Sequence, residues 1–216
     1  MHITTFIPAL ALASFTFANP IVQRRDDAPV KVTADQLKQI APKLGDCDRA
    51  KPKMEECATA EKAAEYISNS FVTYKITKPA VAAGLIATMS VESGEFQYAH
   101  NVSPGRPGQG TRNMQMANLN KEYIDSIEDP AFKPEKDAAG SDPDKILKAL
   151  IKYGNYNFGS AAWFFTKKCN PEVATALGKG DKAGWDQYVQ CIGATADDGR
   201  VKYWEAAVKA LGVKSA

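Results

Sequence analysis

Residues Thr77–Gly94 read TKPAVAAGLIATMSVESG, with no charged residue between Lys78 and Glu92. Thr77 is a candidate N-cap, and Pro79 suits the first helical turn, where an N–H is not needed. Val81, Leu85 and Met89 then fall on one face at helical spacing, with Thr88 beside them, and Gly94 offers a left-handed cap. The spacing predicts a helix over 79–93, the most apolar of the chain.

Outward from it the period stays helical. An apolar stripe through Ala63, Ile67, Phe71 and Tyr74 predicts a helix over 59–74, and a shorter one is expected over 34–44. Further helices are expected over 114–126, 143–153, 159–168, 171–178 and 181–192. The last begins at Asp198, buries Val201, Trp204, Val208 and Leu211, and stops at Gly212. No run of alternating residues marks a strand and no internal repeat is visible. The fold class is therefore all-α, with room for a small β-hairpin in the 96–113 loop, which holds Pro104, Gly105, Pro107, Gly108 and Gly110. A loop of that length inside a compact domain is often functional. Trp163, Phe164 and Phe165 are adjacent, so one helix face cannot bury all three; core packing with one ring near a groove is expected. Trp185, Tyr188 and Trp204 have core spacing.

The ends speak of export. Residues 3–17 are uncharged and largely apolar, too short for the about 20 residues of a membrane span but suited to a signal peptide over 1–18. The pair Arg24-Arg25 resembles a site cut by processing proteases of the fungal secretory pathway, which makes 19–25 a pro-segment and 26–216 a single mature domain. The full chain has 27 Lys+Arg and 25 Asp+Glu. The leader removes two arginines and no acid, so the mature domain is neutral. Neither nucleic acid nor an anionic membrane is then an expected partner, and a monomer is expected.

In an oxidising compartment Cys47, Cys57, Cys169 and Cys191 read as two disulfides. Of three possible connectivities, Cys47–Cys57 with Cys169–Cys191 closes the shortest loops. No C-x-x-C occurs and His100 is the only histidine left after processing, so neither a metal site nor a cofactor is expected. Asn101-Val102-Ser103 is a glycosylation sequon, at Asn101.

Elimination leaves carboxylates as the candidate chemical groups. Glu92 lies seven residues past Leu85, where the apolar stripe would continue. Burial and the negative end of the helix dipole would both raise its pKa, as a general acid requires. A helix-end glutamate turned to solvent, or paired with Lys or Arg, fits the spacing equally.

Met89-Ser90-Val91-Glu92-Ser93-Gly94 resembles the helix end that carries the catalytic Glu in lytic transglycosylases and goose-type lysozymes. Arg112-Asn113-Met114-Gln115 is similar to that superfamily's Gly-Leu-Met-Gln element, and Tyr156-Asn157-Phe158-Gly159 to its Tyr-Asn-Ala-Gly element. The three occur in the family's order between Pro79 and Phe165. Arg112-Asn113 and Phe158 depart from the pattern. The resemblance implies a lysozyme-like fold and a secreted glycosidase cutting β-1,4 bonds of N-acetylated amino-sugar polymers: peptidoglycan first, as a muramidase, or chitin or chitosan. Glu92 would be the acid, Glu95 a possible second carboxylate, and Gln115, Tyr156, Asn157, Tyr98 and His100 substrate-binding residues. Two other readings remain: a secreted glycan-binding or host-interaction protein that lost turnover, and a structural helical domain with Glu92 in a salt bridge.

Overall fold

The computed structural model describes residues 28–50 and 54–214. The expected signal peptide, the pro-segment and the Arg24-Arg25 pair lie outside the described residues. Ten α-helices account for most of the described chain: α1 (Ala34–Ile40), α2 (Ala60–Thr73), α3 (Pro79–Glu92), α4 (Ala117–Asp125), α5 (Lys133–Ala139), α6 (Pro143–Lys152), α7 (Gly154–Lys168), α8 (Pro171–Leu177), α9 (Lys182–Cys191) and α10 (Asp198–Ala210). Two short 3-10 turns, Cys47–Ala50 and Met54–Glu56, precede α2. The all-α expectation holds, and the glycine-rich loop contains only two isolated bridges, His100 to Gly110 and Gly110 to Gln115, rather than a hairpin.

Helix α3 is the axis of the fold. Every residue from Ala80 to Ser90 is buried, so the helix has no solvent face, and the stripe through Val81, Leu85 and Met89 is no more buried than the rest. Such a helix must be sheathed on all sides. Helix α10 lies along it, α7 and α8 complete the sheath, and α1 and α2 pack behind α10 and α7 respectively. Its N-cap is Lys78 rather than Thr77, and no side chain caps it. Pro79 takes the first position and holds its predecessor extended, at φ −92° and ψ 122°.

Other helices start on side-chain caps: Thr33 with Gln36 in a reciprocal capping box on α1, Thr59 on α2, Asp142 on α6, Asp181 on α9 and Asp197 on α10. Helix α5 was not foreseen. Its seven residues bury only Ala139, so it carries no apolar period. Helix α7 begins at Gly154, not at residue 159, which puts Tyr156-Asn157-Phe158-Gly159 inside its first turns. In α10 the buried residues are Trp204 and Ala207; Val201, Val208 and Leu211 pack half-buried at the core's edge.

Trp185 stacks on Trp204 with ring centroids 5.7 Å apart and touches Tyr188 at 5.9 Å. A second apolar cluster, built from Tyr123, Phe132, Leu150 and Trp163, joins α4, α5 and α6 to α7. Both expected disulfides are present, Cys47–Cys57 and Cys169–Cys191.

Helices α8 and α9 meet at Gly184, where a Cβ would lie 2.1 Å from the Ala176 carbonyl oxygen. Gly184→Ala must therefore push backbone from backbone. It is expected to lower the unfolding free energy by about 1–3 kcal/mol, measured by chemical denaturation; an unchanged midpoint would show that the two helices separate freely.

Candidate binding cleft

Helix α3 ends in a Schellman turn. Glu95 N–H donates to Ser90 O at 2.7 Å and Gly94 N–H to Val91 O at 3.3 Å. Gly94 supplies the left-handed residue, at φ 58°. The chain stays left-handed at Glu95 and Phe96, φ 62° and 67°, which costs roughly 1–2 kcal/mol per non-glycine residue. Side chains hold this turn. Ser93 Oγ accepts from Phe96 N–H at 2.9 Å, and Phe96 is fully buried and stacked on Phe158 at 5.8 Å. The Glu95 carboxylate is buried too, accepting Lys43 N–H at 2.5 Å and Tyr203 O–H at 2.9 Å.

Glu92 emerges at the point where α3 leaves the core. Its carboxylate accepts from Arg200 Nη2 at 2.5 Å. Arg200 sits in the first turn of α10, whose N-cap Asp197 accepts Arg200 N–H at 2.9 Å. Glu92 thus joins the C-terminal end of α3 to the N-terminal end of α10, where a carboxylate is favoured by the unpaired N–H groups. The side chains of Arg200 and Glu92 are 16 % and 23 % exposed, so the pair is shielded but not sealed.

Around the pair opens a cleft of about 440 Å³. One wall is the α9–α10 connection, Ile192 to Asp197; the other is the segment from Gln109 to Met116, with Phe164 of α7 and Tyr188 of α9 between them. An amide network sets the second wall. Gln115 Nε2 donates to Asn120 Oδ1 at 2.7 Å, Asn113 Oδ1 accepts from Ser160 Oγ at 2.7 Å, and Gln109 Nε2 donates to Met114 O at 3.0 Å. Thr111 and Met114 are left-handed, φ 63° and 48°. For the β-branched Thr111 this is an uncommon conformation, of the sort found where a loop is shaped for a ligand. Burial pushes the Tyr188 phenol above its ordinary range.

The structure brings together only part of the expected set. Glu92 and Gln115 share the cleft. Glu95 faces α10 and the Lys43 loop. Tyr156 O–H donates to Asp129 at 2.6 Å, and its ring lies 4.3 Å from Phe132. Burial followed by that hydrogen bond raises the Tyr156 pKa, and the same bond is the main cause lowering that of Asp129. Asn157 is buried and lines a different cavity. The His100 ring is held by Glu56 at 2.8 Å, and Tyr98 packs over Gly94. Asn101 uses its amide within the loop, donating to Gln109 Oε1 at 2.7 Å and accepting Gly105 N–H at 2.9 Å. Phe164 is the aromatic of its triplet that lines this cleft; Trp163 and Phe165 are buried. Sequence reasoning missed Arg200, because nothing local to it announces a partner 108 residues away. Among the described residues no three or more His, Cys, Asp or Glu side chains gather as a metal site, and no helix is long and apolar enough to cross a membrane.

No protein-family model matches the chain, and no solved structure matches it significantly. A curated relative does: a bifunctional dioxygenase (DOX)-epoxy alcohol synthase (EAS) of Fusarium oxysporum (strain Fo5176), 36% identical over 156 residues. The match takes in 70% of this chain but spans only 12% of the relative's length. That relative is an enzyme by name, and neither named activity is glycosidic cleavage. The finding overturns the glycosidase expected from the three short elements, and with it the muramidase, peptidoglycan and cell-wall reading and the chitinase or chitosanase alternative. Of the readings that the spacing left open for Glu92, the structure holds the helix-end glutamate paired with an arginine, Arg200.

Arg112 holds the loop that carries the second wall. It is 3% exposed, and burial brings its pKa down to about 10. It donates to the carbonyls of Phe96, Tyr98 and Glu56 at 3.0, 2.9 and 2.5 Å and lies 4.8 Å over the Phe158 ring. Arg112→Met would orphan the Tyr98 and Glu56 carbonyls, Phe96 O keeping Ala58 N–H at 3.0 Å, and should cost about 2–4 kcal/mol of stability. Thermal unfolding checks this; an unaltered melting temperature contradicts it.

Proposed function

We propose that the chain is a secreted binding unit whose cleft beside Glu92 takes a neutral, hydroxyl- and amide-bearing oligosaccharide without cleaving it. The composition of the cleft carries this reading. Side-chain amides of Gln109, Asn113 and Gln115 offer both donors and acceptors, and Phe164 and Tyr188 offer apolar faces. Its charges balance, with Arg106 and Arg200 against Glu92 and Asp197, so nothing in it selects an ion. The Glu92 carboxylate, already fixed by Arg200, serves as an oriented acceptor for a hydroxyl.

The short share of a much longer enzyme that this chain matches supports a unit that accompanies catalytic domains and need not itself carry their chemistry. Two disulfides support an extracellular location.

Calorimetric titration with the β-1,4-linked tetramer of N-acetylglucosamine tests the reading. Saturable binding is expected, with the tetramer recovered at full length. Phe164→Ala should weaken binding about tenfold, equivalent to roughly 1.4 kcal/mol. Absence of saturable binding, or shortened oligomers, contradicts the proposal.

A further inference from the structure

A second cavity, of about 580 Å³, lies across the 109–116 segment from the cleft; Arg112 lines it, whereas its neighbour Asn113 lines the cleft. The two sites therefore share a wall but not a surface. The cavity's floor is apolar. Tyr66 of α2 and Phe158 of α7 meet there at 5.7 Å, and Ala58, Ala99 and Ile151 extend the same surface. Its volume falls in the range of small-molecule sites.

Polar groups sit at its edges. Asn157 is 4 % exposed and lines the cavity, and its Oδ1 has no hydrogen-bond partner. That oxygen can only accept, so it takes no part in holding a carboxylate, which has no hydrogen to give it. At the rim stand Lys62, Lys148 and Lys152. Lys152 is paired with Glu135, while Lys62 and Lys148 make no ion pair among the described residues. Of the two acids that line the cavity, Glu56 is engaged by His100 and by the N–H groups of Ala99 and His100. Glu55 lines the cavity as well.

We propose that this cavity binds an organic carboxylate with an apolar body, the body on the Tyr66–Phe158 floor and the carboxylate at Lys62 and Lys148. An apolar floor alone would accept any oily molecule. The two lysines, which make no ion pair among the described residues, select the anion, because a carboxylate gains charge-assisted hydrogen bonds that an alcohol of equal length does not.

The probes are decanoate, decanol and acetate, titrated into the intact chain and into the double variant K62E/K148E, whose substitutions are on exposed positions. Decanoate is expected to saturate one site, decanol to bind more weakly and acetate not to bind. In the double variant, decanoate affinity should drop at least about tenfold through charge reversal, while decanol affinity and the melting temperature stay as they were. Undiminished decanoate affinity in the variant, no saturable decanoate binding to the intact chain, or a parallel loss of decanol binding would each overturn the proposal. Binding of the N-acetylglucosamine tetramer, at the other cleft, is a separate readout and should not respond to either lysine.

Discussion

The constraint on which everything else rests is the burial of α3 around its whole circumference. A fourteen-residue helix with no polar face is unstable in water and gains its stability from the helices that cover it. That requirement fixes α10 along its length, with α7 and α8 completing the cover, and leaves α3 open only at its two ends: at Pro79, which carries no functional group, and at its C-terminal turn. A functional group on this helix can be presented only at that turn. Glu92 occupies that position, and Arg200 of α10 fastens it.

The turn that follows is built as firmly as the helix. Three successive left-handed residues would relax if they were free, and they are held instead by Ser93, by the buried Phe96 ring and by the Glu95 carboxylate between Lys43 and Tyr203. Arg112 then ties Phe96 and Tyr98 to Glu56. One chain of contacts thus runs from the end of α3 through the 96–100 backbone to the 109–116 segment, which forms a wall of the cleft on one side and of the apolar cavity on the other. Both sites inherit their shape from this buried scaffold, which keeps their polar groups oriented before any ligand arrives.

Much of the fold was legible because its signals are local. Pro79 and Gly94 bracket α3, and the apolar period of α2 and the short cysteine spacings lead directly to helix and disulfides. The site was only half legible. Glu92 stands out on its helix, and Gln115 does reach the same cleft, but four-letter matches do not specify geometry. Tyr156 is committed to Asp129, Asn157 turns to the second cavity, and Glu95 lies past the left-handed Gly94 and is left-handed itself, so sequence spacing carries no direction there. Arg200 is the plainest case: its importance is a tertiary fact, and a resemblance resting on three short local elements could not contain it. The similarity to one stretch of a dioxygenase–epoxy alcohol synthase then removed the glycosidase reading that the resemblance had implied.

The pairing of Glu92 with Arg200 is the hinge of this account, since it both welds α3 to α10 and defines what the cleft offers. A double-mutant cycle of Glu92→Gln and Arg200→Gln on unfolding free energy measures it directly. A coupling of about 1 kcal/mol or more is expected for a shielded, charge-assisted contact. A coupling indistinguishable from zero would mean that the two side chains act independently, and would contradict it.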